Sequence, residues 1–157
     1  RLTMEEKQMI LEEENAHQFK EFNALTAYRI GTFITKKVID AKLKVCVDIL
    51  AYGKQLYHFC NDPCSVDNEA WLIRKRNTVL HFGNSTRFMN CKLEGNAELL
   101  QTKYGLSASD TTLAPGGFPI RLENCGVIGA ICVSGLAPLE DHQLVLDGIE
   151  SLQTISK

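Results

Sequence analysis

The chain has almost no charge imbalance, with 17 lysines and arginines against 19 acidic residues. Nothing in that balance attracts a polyanion, so nucleic acid is not an expected partner. Long apolar runs are missing too. No stretch approaches the roughly 20 residues needed to cross a bilayer, and the first residues are charged and amphipathic rather than signal-like. A cytoplasmic protein without membrane spans is the expectation. There is no internal repeat and no low-complexity linker. A Gly-Lys-Ser/Thr phosphate loop and a Gly-x-Gly-x-x-Gly turn after a strand are both lacking, which disfavours nucleotide chemistry of either kind. Cys132 stands two positions before Ser134, where a nucleophile elbow has glycine, so a serine hydrolase is disfavoured as well.

What is present is 157 residues, 45% hydrophobic and 23% charged. A chain of this length buries roughly 70% of its unfolded surface, enough for one core without disulfides or metal. The expectation is a single domain over residues 1–157, with 1–15 as an N-terminal helical extension. Cysteines stand at 46, 60, 64, 91, 125 and 132. Several lie in apolar runs, where a thiol behaves as a small hydrophobe. Reduced thiols are expected rather than a disulfide framework.

Thr3 and Glu6 form a capping-box pattern for a polar helix through about Asn15, and residues 16–22 read as a short strand. Asn23 caps a second helix whose apolar stripe is Ala27, Ile30, Gly31, Ile34 and Val38. Leu43, Val45, Val47 and Ile49 alternate with Lys44, Cys46 and Asp48 as a strand does, and Ala51-Tyr52-Gly53 leads into a second strand over 54–60, a hairpin. Asp67 or Asn68 caps the helix carrying Trp71, Leu72, Val79 and Leu80, which Gly83 ends. A short helix over 97–104, a hairpin of 118–122 with 126–134, and a last helix from Pro138 or Leu139 complete the reading. About five strands in hairpins among helices imply an α+β fold, an antiparallel sheet flanked by helices.

Arg74, Lys75 and Arg76 cannot share one face, since successive helical residues are about 100° apart. Trp71 pairs with Arg74 and Lys75. Together they suit an oligomer anchor, tryptophan and arginine being the residue types that dominate interfaces, or a site for a small anionic ligand. Ser85, in the turn after that helix, offers a hydroxyl and free backbone N–H groups that can bind an anion or satisfy a helix end. Gly116 and Gly117 either bring bare backbone to a ligand or solve a steric problem at a strand entry. Asp141 and His142, with Glu140, form the best acid-base cluster, placed after the Ser134-Gly135 strand end where a groove can form. The alternative is a helix start with favourable carboxylates and a histidine bonded to a neighbouring loop or subunit. His58, Cys60 and Cys64 are the metal-like group, but a closed zinc site needs four ligands and no second pair stands at suitable spacing, so no metal is assigned. Asp48 reads as a buried group bonded to backbone.

Four segments carry a family resemblance: FNALTAYRIG (22–31), EAWLIRKRNTVLHFGNST (69–86), KYGLS with GGFPI (103–107 and 116–120) and GVIGAICVSGLAPLEDHQLV (126–145). In order and spacing they resemble the heme-degrading-domain family, which contains GlcG-like and HbpS-like proteins, and most closely its cytosolic branch of uncharacterised bacterial and fungal proteins. The resemblance implies a profilin-like fold, a five-stranded antiparallel sheet between helical layers, assembled as a homo-oligomer, a dimer or larger. It implies binding of heme or another small ligand, with no reaction established for this branch. Two departures stand out: Ala114-Pro115 replaces a histidine-containing motif before the glycines, and His81 stands where relatives have arginine. The expectation is therefore an oligomeric small-ligand or partner-binding protein without catalysis or a resident cofactor. Heme binding with oxidative degradation is the alternative, using His58, His81 or His142 on iron and Arg74 or Lys75 on a propionate. A protein-interaction adaptor is the second alternative.

Overall fold

Asn23 stops the chain from extending further and starts a helix. Its Oδ1 accepts the Thr26 N–H at 3.0 Å, while Thr26 Oγ1 accepts the Asn23 N–H at 3.2 Å, closing a reciprocal cap. A computed structural model describes residues 4–155, with side chains through Gln153. Its elements are α1 (Met4–Ala16), α2 (Ala24–Asp40), β1 (Cys46–Ala51), β2 (Lys54–Cys60), α3 (Val66–Phe82), α4 (Thr86–Lys92), α5 (Glu98–Thr102), β3 (Gly117–Leu122), β4 (Gly126–Ser134) and α6 (Pro138–Ile155). Thr3, the expected cap of α1, lies outside the described residues.

The strands form one antiparallel sheet in the order β2-β1-β4-β3. Tyr52 and Gly53, both at positive φ, join β1 to β2 in the two-residue turn that matches strand twist. The α+β class is as expected, but the sheet has four strands among the described residues, not five. The segment 16–22 makes only an isolated parallel bridge, Phe19 to Leu122. Phe19 and Phe22 instead turn into the core and meet edge to face at 5.0 Å, and the Asn23 cap then takes the chain away from the sheet edge.

Helices cover both faces of the sheet. Val45, Val47, Ile49, Ile131 and Val133 pack under α2 and α6, each buried aliphatic side chain contributing about 1.5–3 kcal/mol. Cys46, Ala130 and Cys132 point the other way, against Leu72 and Val79 of α3. This second cover explains why the polar members of the β1 alternation, Cys46 and Asp48, are buried as well. Gly31 lets α2 descend onto the Tyr57 ring of β2, whose hydroxyl meets Thr35 Oγ1 at 2.6 Å. A third cluster joins Ile10 of α1 to Phe88 and Met89 of α4; α4 itself was not foreseen, because its seven residues carry no amphipathic repeat.

Candidate functional site

Helix α3 begins at Ser65, whose backbone N–H donates to Asn68 Oδ1 at 2.9 Å. The cap thus sits two to three residues before the expected Asp67 or Asn68, and Gly83 ends the helix in the left-handed conformation, as expected. The three consecutive cations take three directions. Arg74 lies over the Trp71 ring, 4.2 Å from its centroid, and donates Nε–H to the Thr111 carbonyl. Arg76 reaches Asp48 Oδ2 at 3.2 Å. Lys75 turns inward.

Lys75 Nζ donates to the Val133 carbonyl at 2.9 Å and to Asp141 Oδ2 at 3.1 Å, in a buried pair. Asp141 Oδ1 accepts the Leu136 N–H at 2.9 Å. Burial pushes the Asp141 pKa up, and the Lys75 charge with the Leu136 and Gly135 N–H groups offsets part of that rise. Gly116, at φ +126°, leaves the room this pair occupies: a Cβ there would stand 2.7 Å from Lys75 Nζ and 2.5 Å from the Val133 carbonyl. A Cβ on Gly117 would press on Val79 and Thr86 at 2.9 and 3.1 Å. Both glycines therefore serve close packing of β3 against α3.

A cavity of about 310 Å³ opens beside the pair. Trp71 and Asn68 of α3 line it, with Ala114 and Pro115 before β3, Ser134 at the end of β4, Gly135 and Leu136 after it, and Pro138 and Asp141 of α6. Trp71, Lys75 and Asp141 are thus brought together, with Gly116 behind them. Asn68 and Pro138 line the cavity without a signal of their own in the sequence; the strand end at Ser134-Gly135 running into a helix start is the feature that points to a groove there. A second cavity, about 500 Å³, lies between the end of α2 and α6, lined in part by Lys37, Leu43 and Gln143.

Ser85 and His142 are elsewhere. Ser85 caps α4 by accepting the Phe88 N–H at 3.0 Å. Its own N–H and hydroxyl each donate to the buried Glu14 carboxylate at 3.1 Å. The turn's donors are thus taken up by a carboxyl group of the chain itself. Burial raises the Glu14 pKa, the Ser85 and Asn84 bonds opposing it. His142 Nε2 meets Glu13 Oε1 at 2.6 Å, its ring is edge-on to Phe118, and its Nδ1 has no partner among the described residues. The Glu140-Asp141-His142 run does not act as one cluster, because Glu140 accepts the Ala137 N–H and Asp141 binds Lys75.

His58 bridges two carboxylates, Nδ1 to Asp48 Oδ1 at 3.1 Å and Nε2 to Glu69 Oε1 at 2.9 Å. Burial opposes its charge, but the two carboxylates outweigh that and raise its pKa. Asp48 is buried as expected, yet its partners are the side chains of Gln55, His58 and Arg76. His81 is exposed near the end of α3, its ring against Phe82. None of His58, His81 and His142 lines the cavity beside Trp71. The expected trio of His58, Cys60 and Cys64 is also rearranged: the thiols of Cys60 and Cys64 meet Cys46 instead of His58.

A family model described as "Haem degrading protein HbpS-like" matches residues 22–150. A UPF0303 protein of Edwardsiella ictaluri is 39% identical over 137 residues, covering 87% of this chain and 87% of the relative. Among solved structures, Ybr137w superposes with a TM-score of 0.81 at 24% identity, over 91% of this chain and 86% of that one. A PduOC:heme complex superposes with a TM-score of 0.67 at 12% identity, over 82% and 93%. At these identities the structural likenesses bear on the fold alone. No helix among the described residues is long and apolar enough to cross a membrane.

Proposed function

The chain belongs to the HbpS-like haem-degrading protein family, and on that premise we propose that it is a non-catalytic binding protein that takes a small organic anion beside Trp71 and works as a homo-oligomer. The observation that carries this reading is the cavity where the sole tryptophan meets the buried Lys75–Asp141 pair. Trp71, Pro115 and Pro138 offer flat apolar area, and Lys75 is the cation in the cavity wall. Asp141 is paired with Lys75, so affinity comes mainly from the apolar wall, and the lysine selects the sign of the ligand. The pair's polar atoms are committed to one another and to backbone, leaving no free base in place for a reaction.

Assembly is supported by the outer face of α3. Val66, Ile73 and Leu80 recur every seven residues and are exposed, a stripe that a second helix covers well. In this reading the whole chain is one profilin-like, cytoplasmic domain, and Trp71 lies in a groove adjoining the subunit contact. The test is emission from Trp71 during titration with benzoate and with anilinonaphthalenesulfonate. A saturable change that disappears in Ala114→Phe, which fills the cavity, is the expected result; a linear change unaffected by that substitution would overturn the proposal.

Heme is the second reading, favoured by the family description and by the heme complex that shares the fold. The residues at this cavity do not fit a histidine-ligated heme. His58 is held between Asp48 and Glu69, His142 is buried against Glu13, and His81 is on the outer part of α3. A hemin titration separates the two readings, since a Soret shift lost when all three histidines are replaced would favour heme. The adaptor reading rests on the same α3 stripe, and a chain that stays monomeric in light scattering would favour it over self-assembly.

A further inference from the structure

Antiparallel pairing of β1 with β2 sets Cys46 directly opposite Cys60, and directly opposed residues share one face of a sheet. Here it is the α3 face, where Cys46 packs with Cys132 and Leu72. The chain then doubles back through a fastened turn. Asn61 donates its N–H to the Val45 carbonyl and its side-chain amide to the Leu43 carbonyl, and Cys64 N–H donates to the Asn61 carbonyl at 2.9 Å. The turn delivers Cys64 to the same spot, so that the three sulfurs lie within 4.8 Å of one another as free thiols. Three thiolates around one zinc-sized ion, each about 2.3 Å from it, stand about 3.8 Å apart. Closing the cluster needs side-chain adjustment of less than about 1 Å.

We propose that Cys46, Cys60 and Cys64 form a site for a thiophilic d10 metal ion, with Zn2+ as the resident ion and Glu69 beside the fourth coordination position. Packing alone accounts for Cys46, which is buried, but not for Cys60, which is exposed, or Cys64, which is half-buried. That gradient is also the ion's route in from solvent. Glu69, on the first turn of α3, is held by His58 Nε2, whose Nδ1 is held in turn by Asp48, and Asp48 is held by Arg76. Outer partners of this kind orient the ligands of known metal sites. Binding displaces protons, because the ligands are thiolates: three S–H protons pass to solvent as three metal–sulfur bonds form, with no change of oxidation state. The site is independent of the cavity beside Trp71.

The test is titration of the full, reduced chain with Cd2+ without oxygen, followed by competition with Zn2+. The expected result is a sulfur-to-cadmium charge-transfer absorption that saturates at one ion per chain, is displaced by Zn2+, and raises the melting temperature. Cys64→Ser should weaken binding about tenfold or more, Glu69→Gln should weaken it less, and Cys125→Ser, at an exposed thiol outside the cluster, should leave it unchanged. Circular dichroism of Cys64→Ser checks that it folds. Absence of a saturating band, or equal binding by wild type and folded Cys64→Ser, would overturn the proposal. A Cys46–Cys60 disulfide in the fresh protein with no ion uptake after reduction would do the same.

Discussion

Lys75 Nζ lies 3.1 Å from Asp141 Oδ2 although 66 positions separate the two residues, and both are almost wholly removed from solvent. Desolvating two charges costs several kcal/mol per ion, which their attraction and the bonds to Val133, Leu136 and Gly135 offset. Lys75→Ala should therefore cost about 3–5 kcal/mol, because it strands a buried carboxylate, whereas Lys75→Met combined with Asp141→Leu should recover most of that loss. Urea unfolding of the single and double variants measures both; equal destabilisation by the two would contradict a coupled pair.

Glu14 makes stability depend on pH in the direction opposite to an ordinary paired carboxylate. Burial raises its pKa above the usual 4.5, so the folded chain holds that proton more tightly than the unfolded chain does. Its contribution is present at low pH and is lost as pH rises from about 4.5 through the raised folded value. Glu14→Gln should therefore gain stability relative to wild type as pH rises through that window, read from urea midpoints at several pH values. The neighbouring Glu13 has the opposite sign. Burial acts to raise its pKa, but the His142 bond and the His142, Arg87 and His17 charges bring it below 4.5. Its contribution is present above the ordinary value and fades as pH falls through the lowered one.

A methyl group on Gly31 would stand 2.3 Å from the Tyr57 ring. Gly31→Ala should destabilise by about 1–3 kcal/mol despite the better helix propensity of alanine. Adding Tyr57→Ala should make the Gly31→Ala step nearly neutral, which a double-mutant cycle by thermal or chemical unfolding would measure.

The exposed residues Ile73 and Leu80 sit on the outward face of α3. If that face is the contact of the proposed homo-oligomer, Ile73→Lys with Leu80→Lys should lower the mass seen by light scattering without changing the circular dichroism spectrum. An unchanged mass would remove α3 from the interface.

Much of the candidate site was visible before folding was considered. Residues about 100° apart on a helix cannot converge, which already separated Arg74, Lys75 and Arg76. The same rule splits Asp141 from His142, yet their acidic and basic character made them look like one cluster; the structure gives Asp141 to Lys75 and His142 to Glu13. The thiol cluster was half visible, with Cys60 and Cys64 close in sequence and Cys46 hidden across a hairpin register.

Sequence by itself determined the elements whose causes are local: the Asn23 cap, the hairpin turn around Tyr52-Gly53, the Gly83 stop and the stripe of α2. Each depends on groups within a few residues of one another, so short-range sterics and hydrogen bonding suffice. Only the tertiary structure decided that residues 16–22 stop short of being a fifth strand, that both faces of the sheet are covered, and which polar groups meet. Glu14 with Ser85, Lys75 with Asp141, and Cys46 with Cys60 and Cys64 are brought together by packing of helices and strands distant in sequence, because buried charges and thiols take the partners that the completed core leaves within reach.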